Sequence, residues 1–474
     1  MKASTLRKED RNETRRSEFF QQSPGYVLRQ SATTPSREAL LSTISSVNNS
    51  ALTLLRAMSP SPGTVPISSG PNSPSSTVLT ILGAAHKNSA SNIIVALLNG
   101  ITINGSSGRD LVFAGDYTKV NAGDGDDVVV VGDYASVSGG RGRDFVMAGH
   151  YANVEGGDGD DVVFALDYAT VRGGRGNDYV EVHNYGNITG DEGDDVIQTY
   201  DYAKAAGGLG DDQISTYAYA SVAGGDGDDS ISTYGNSTVS AGAGSDRVRG
   251  YGYMTVDGGA GSDDIRVYDY ASVDAGDGDD VVVTMGNSTI DGGRGNDTII
   301  VADRSTNGGT AGHGVVDAGE GDDVVQVGSY STVTGGTGDD RIVLTGTNST
   351  IAFKKGDGRD QVQADFDVDV TIGGYSVSDV IVSHEKGNVV VSFKGSSDRL
   401  TLDIASGVNG HLAFADGTSL TVTGNQAAKL HQQYVGAGEV IQVEDYASTA
   451  AYQTHQWSGY SERQVGDMKR LSMG

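Results

Sequence analysis

Residues 139–161 read GGRGRDFVMAGHYANVEGGDGDD, two copies of a glycine-aspartate cluster separated by a short apolar segment, a Tyr-Ala pair and a second apolar segment. The last aspartate of each cluster marks a period. Asp110, Asp127, Asp144, Asp161, Asp178, Asp195, Asp212, Asp229, Asp246, Asp263, Asp280 and Asp297 follow one another at intervals of 17, then come Asp323 after 26, Asp340 after 17 and Asp360 after 20. A fixed period this short is one coil of a solenoid, whose units bury their apolar faces only against their neighbours.

The columns within the period draw the cross-section of the coil. Two residues after every marker stands Val or Ile, from Val112 and Val129 through Ile214 and Ile265 to Val362. Strand alternation turns that column inward together with the small or β-branched column two residues later, which includes Ala148, Val182, Thr199 and Val267. The residue between them varies freely, Phe113 in one coil and Arg249 in another, as a solvent face does. Ten residues after the marker a third apolar column appears, with Val120, Val154, Ile188, Val222 and Ile290. The pattern predicts an all-β fold, a parallel β-roll or β-helix with two short strands per coil and a thin apolar core. Its corners are the glycine-aspartate cluster on one side and a DYA or YGN turn on the other, and at ~4.8 Å per coil the rod is roughly 70 Å long.

Seven residues after the marker runs a tyrosine column, Tyr117, Tyr134, Tyr151, Tyr168, Tyr185, Tyr202, Tyr219, Tyr253, Tyr270 and Tyr330. It reads first as a stacked ladder that stiffens the plain turn and second as an aromatic strip for sugar rings. The nine-residue insertion near Ser305 to His313 falls on the same side and reads as a surface loop.

Composition sets bounds on function. The chain has 474 residues, 70 of them glycine, and no cysteine, which excludes disulfides and thiolate chemistry. A net charge of −29 disfavours nucleic acid and anionic membranes and favours a cation as partner. The first 86 residues carry nine Lys/Arg against five Asp/Glu, so the negative charge is concentrated in the rest. All seven prolines lie in the first 75 residues among serine-rich runs, and residues 1–87 are expected to be largely disordered. One island within them, 35–58, has Leu40, Ile44, Val47, Leu55 and Met58 at helical spacing behind Thr34 and Pro35. No stretch is long and apolar enough for a membrane span, and the basic N-terminus lacks the apolar segment of a cleaved signal.

Each cluster reads G/A-G-x-G-x-D followed by a strand. Glycines let the backbone curl until carbonyl oxygens point into the turn, and the aspartate adds a carboxylate. Such an all-oxygen site suits a hard cation, and flexible geometry with many ligands suits Ca²⁺ better than Mg²⁺. Many clusters add an aspartate just before the marker, among them Asp126, Asp160, Asp194, Asp211 and Asp228. Stacked at ~5 Å without cations these carboxylates repel, so the central region is expected to fold on binding Ca²⁺.

GGRGRDFVM (139–147), GGDGDDVVF (156–164), GGRGNDYVE (173–181), GGLGDDQIS (207–215) and GGTGDDRIV (335–343) resemble the calcium-binding nonapeptide of the RTX, or haemolysin-type, exoproteins. The resemblance continues through GDGRD, VVVSFKGSSDRLTL and FADGT and covers residues 105 to about 423. It implies a calcium-loaded roll over 88–364, a β-rich cap over 365–424, and leaderless export, with 425–474 in the place of a C-terminal type I secretion signal. Family rolls set two nonapeptides in one coil, whereas this chain has one nonapeptide and an eight-residue plain half. Carried over position by position, the metal ligands are Asp127, Asp144, Asp161, Asp178, Asp195, Asp212, Asp229, Asp246, Asp263, Asp280, Asp297, Asp323 and Asp340, on one edge only. The degraded clusters at Asp110 and Asp360 are expected to hold ions weakly. Affinities of ~10⁻⁴ to 10⁻³ M are expected for an extracellular module.

No catalytic motif is found. His384-Glu385 lacks the second histidine of a zinc protease, and no G-x-S-x-G elbow occurs. Three functions remain: a structural, adhesive or interaction exoprotein held by calcium, a carbohydrate-binding or carbohydrate-modifying protein, and a host-directed secreted effector whose serine-rich, acid-poor N-terminus would act as a type III style export signal in place of the type I route. Their partners are calcium and the bacterial secretion machinery, with glycans or a host surface as further expectations.

Overall fold

The computed structural model describes residues 80–82, 93–96, 99–268, 270–302 and 313–424. The expected helix over 35–58, most of the 1–87 segment, the insertion up to residue 312 and the tail over 425–474 lie outside the described residues.

The described chain is an all-β parallel solenoid. Two strands per coil build two sheets. One sheet stacks the strands that follow each marker, such as Phe145–Ala148, Val162–Ala165 and Tyr179–Val182. The other stacks the strands that lead into each cluster, such as Ser136–Arg141, Asn153–Asp158 and Thr170–Arg175. Register is one period throughout: Val163 pairs with Val180 in the first sheet and Val171 with Ile188 in the second. The insertion does not disturb this register, because Ile299 pairs with Val325 directly across it.

All three inward columns are buried. Val129, Val163, Ile197, Ile231 and Ile265 are fully enclosed, and Val120, Val154 and Ile188 face them from the other sheet. Register is fixed here by chemistry. A slip of one residue would turn these side chains to water and the variable column inward.

Both ends depart from the parallel pattern. Thr80–Leu82 runs antiparallel to Ile93–Ala96, which starts the first sheet by pairing with Leu111–Ala114. Residues 365–424 continue the roll: Arg399–Ile404 lies parallel to Arg359–Ala364, and Asn409–Phe414 parallel to Val368–Gly373. Between those coils a hairpin of Val380–Glu385 and Asn388–Phe393 adds antiparallel strands, and Ser419–Thr423 does the same for the second sheet. The hairpin turns at Lys386 and Gly387, both at positive φ (51° and 93°), the geometry that matches strand twist. Antiparallel strands thus close the first sheet at both ends and the second sheet at its C-terminal end.

Candidate cation-binding edge

The glycine-aspartate corner is built by three glycines and one buried carboxylate. In the coil ending at Asp161, Gly157 and Gly159 have φ of 129° and 134°. A Cβ on either would stand 2.0 and 2.1 Å from the carbonyl oxygens of Gly140 and Gly142 in the coil before. Glycine is required there twice over, by backbone conformation and by the closeness of stacking. The first glycine, Gly156, has ordinary φ, but its open side faces Asp161 Oδ2 and the Gly173 carbonyl oxygen, each 2.5 Å from where a Cβ would be. Ala122, Ala241, Ala275 and Ala318 place a methyl at that point in four other coils, so the oxygen pair is most open in the glycine coils.

Every marker aspartate points inward and is buried, Asp127 and Asp161 to 1 % exposure and Asp144 to 2 %. One carboxylate oxygen of each is committed. Oδ1 accepts the backbone N–H of the marker in the preceding coil, Asp144 from Asp127 at 2.8 Å, Asp161 from Asp144 at 2.7 Å and Asp195 from Asp178 at 2.7 Å. The ladder runs from Asp110 to Asp360 and crosses the insertion, where Asp297 N–H donates to Asp323 Oδ1 at 2.7 Å.

The other oxygen has nothing. Oδ2 of Asp127, Asp144, Asp161, Asp178, Asp195, Asp212, Asp229, Asp246, Asp263, Asp280, Asp297, Asp323 and Asp340 is buried without a hydrogen-bond partner. A buried acceptor left unmade costs about 1–3 kcal/mol, more if charged, so thirteen in a row describe a site that wants a ligand. Burial is the largest cause of their raised pKa values, with neighbouring carboxylates adding to it: Asp144 is pushed up to about 7, Asp161 and Asp323 to about 8, Asp127 and Asp340 to about 6. A cation placed against the orphaned oxygens would remove both penalties.

The two end clusters differ from the thirteen. At Asp110, Ser106 replaces the second glycine, and both its N–H and its hydroxyl donate to Oδ2, the hydroxyl at 3.0 Å. That carboxylate is already satisfied. At Asp360, Oδ1 accepts the Asp340 N–H at 3.3 Å, the longest step of the ladder.

The second aspartate of the cluster builds a separate, exposed ladder. Asp194 Oδ1 accepts the Asp211 N–H at 3.0 Å, and Asp211 Oδ1 accepts that of Asp228 at 2.9 Å. These side chains bond forward, to the following coil, while the markers bond back. Where arginine occupies the exposed place three before the marker, it spans coils: Arg175 reaches Asp158 at 3.8 Å and Glu192 at 3.3 Å. Among the described residues no three His, Cys, Asp or Glu side chains converge on one point. Any ion on this edge is held by single carboxylates from successive coils together with carbonyl or water oxygens, a donor set that fits Ca²⁺.

The opposite corner carries the tyrosines. From Tyr117 to Tyr219 seven rings stack in one unbroken pile with centroids 4.6 to 5.0 Å apart and planes within 6° of parallel. Each of these residues sits in the left-handed region, with φ between 57° and 62°, and Asn236 and Asn287 take the same conformation where tyrosine is absent. The stacking covers every ring face except those at the ends of the pile, leaving edges and hydroxyls to solvent. A strip for face-on stacking of sugar rings is therefore not what this column offers. A second pile, Tyr200, Tyr217, Tyr234, Tyr251 and Tyr268, lies two residues earlier in the period. Its 17-residue spacing was visible in the sequence, masked by the more regular column beside it.

Fold and corner together define a parallel β-solenoid with one edge of buried, half-satisfied aspartates. The chain matches no protein-family model and no curated protein. Among solved structures it is similar to a hyperactive, Ca²⁺-dependent, β-helical antifreeze protein from an Antarctic bacterium, at 18 % identity and a TM-score of 0.29, covering 70 % of this chain and 96 % of that one. It is also similar to the extracellular lipase LipA from Serratia marcescens, at 17 % identity and a TM-score of 0.19, covering 51 % of this chain and 37 % of the lipase.

Proposed function

We propose that the aspartate edge binds a row of calcium ions and that the chain is an exported, calcium-dependent roll of the RTX kind, serving as a structural, adhesive or interaction module. The observation that carries this reading is the run of thirteen orphaned Oδ2 atoms, one per coil. The donor chemistry is all oxygen, hard and anionic, and the ions would lie on one edge because the other corner is filled by tyrosine. Markers Asp127 to Asp340 supply the carboxylates, glycine carbonyls supply neutral oxygens, and bound calcium supplies the charge that keeps stacked carboxylates folded. Extended in a low-calcium compartment and folded after export, such a chain would pass through a leaderless secretion route before locking. No catalytic role is assigned.

Equilibrium dialysis of the full chain against calcium tests the reading. The expected result is close to one ion per orphaned oxygen, and Asp195→Asn in mid-row lowers the count by one or two. Binding of no calcium, or of one or two ions unaffected by Asp195→Asn, would sink it.

A further inference from the structure

The outward face of the first sheet changes character along the rod. Three residues after each marker, the side chains from Phe113 to Arg266 are all half-exposed, as a solvent face should be. In the later coils Val283, Ile300, Gln326, Val343 and Gln363 hold the same place and are buried, to between 2 and 9 % exposure. Neighbours within the sheet do not explain this. Phe164 touches the rings of both Phe145 and Tyr179 and still stays half-exposed. Burial extends to Tyr268, Met285 and Ala302, two residues further along their strands, so the covered strip lies on the side of the sheet next to the plain corner.

Water is excluded from the strip. Gln326 Oε1, in its middle, is buried without a hydrogen-bond partner, a state that a solvent-facing amide does not reach. Every described strand belongs to one of the two sheets, so none is left to lie across this face. The described chain ends beside it. Gly424 closes on the last coil, its N–H donating to the Val408 carbonyl at 2.9 Å and its carbonyl accepting the Gly407 N–H at 3.2 Å. A Cβ on Gly424 would stand 2.2 Å from the Ala405 carbonyl oxygen. Ala405 follows Ile404, which pairs with Ala364 next to Gln363, so the chain departs on the same side of the sheet as the covered strip.

Reach and chemistry both fit the residues that come next. From this coil back to Val283 is about 24 Å at the spacing of strands, and residues 425–444 span about 60 Å when extended. They carry Val440, Ile441 and Val443 between Glu439 and Glu444, two acids about 17 Å apart in an extended chain. On the face, Arg266 pairs with Val283 and Arg341 with Val324, which sets the two arginines about 19 Å apart around the apolar strip.

We propose that residues 425–444 fold back along the first sheet and cover the strip from Val283 to Gln363, with Val440, Ile441 and Val443 against its apolar side chains and Glu439 and Glu444 towards the two arginines. The inference does not depend on the calcium reading. It gives the tail a place on the folded roll, so the segment that stands in the position of an export signal is free only while the roll is unfolded.

Because the chain has no cysteine, each introduced thiol reports one position. In the full chain with calcium, maleimide is expected to label Ile300→Cys about tenfold more slowly than Met147→Cys, which holds the same place in an uncovered coil. Val440→Asp with Ile441→Asp is expected to raise the Ile300→Cys rate to that of Met147→Cys and to leave the latter unchanged. Equal rates with the tail unaltered, or protection that survives the tail substitutions, overturns the inference. A photo-crosslink identifies the occupant with no change in the tail. Benzophenone maleimide on Val324→Cys, at the half-exposed rim of the strip, is expected to join residues 425–444. An adduct with residues 35–58, with residues 303–312 or with a second copy, or no adduct, overturns it as well.

Discussion

Gly225→Val in mid-row is expected to cost about 3 kcal/mol or more of calcium-loaded stability, as a backbone clash in a packed, strained position does. Gly225 has φ of 137°, and any Cβ there would stand 2.0 Å from the Gly208 carbonyl oxygen. Neither partner can yield. The carbonyl is main chain, and Gly208 and Gly225 are paired in register between two stacked strands. Because each coil touches only its neighbours, the clash separates two blocks of the solenoid. Gly407→Ala is the comparison, with φ of 85° and nothing within 4 Å of the new methyl. It carries only the left-handed backbone cost of about 1 kcal/mol. Denaturant unfolding in calcium reads both, and equal losses would show that close stacking is not what demands glycine.

Acid is expected to replace calcium in part. Buried Asp144, Asp178, Asp195, Asp212 and Asp280 are pushed up to about 7, against about 3.9 in an unfolded chain. Between those values the metal-free folded chain holds more protons than the unfolded one, so its stability falls as pH rises. The contribution is complete below about pH 4 and lost as pH climbs through 6 to 8. In chelator, strand circular dichroism should therefore grow as pH drops from about 8 to about 5. With calcium the sign reverses for binding, since protons compete for the same oxygens and apparent affinity weakens below about pH 7. A chelated chain whose strand signal ignores pH would show that the aspartates are not buried in that state.

The roll was legible because its information is periodic. Val or Ile two residues after each marker, in every coil, fixes both the strand and its inward face, and the structure buries that column completely. Half of the corner was legible as well. The motif predicts a carboxylate beside glycine carbonyls, but not that Oδ1 of Asp144 is spent on the Asp127 N–H while Oδ2 stays free. That division depends on the stacking offset between coils, which composition does not encode. The left-handed turn has a sequence signal of its own in the asparagines that replace tyrosine at 236 and 287, since asparagine tolerates positive φ. The closing coil was hidden because a hairpin separates Arg359 from its partner Arg399, so no period connects them. The buried Asp357 is equally out of period, its Oδ2 fixed by the Lys354 N–H within one local turn.

If cations on the aspartate edge hold the solenoid together, its strands depend on calcium. Circular dichroism of the full chain at pH about 8, first in chelator and then through a calcium titration, measures it most directly. A weak strand signal is expected in chelator, with a cooperative gain of β structure as calcium is added and magnesium failing to substitute at equal concentration. A strand signal already complete in chelator and unchanged by calcium would contradict it.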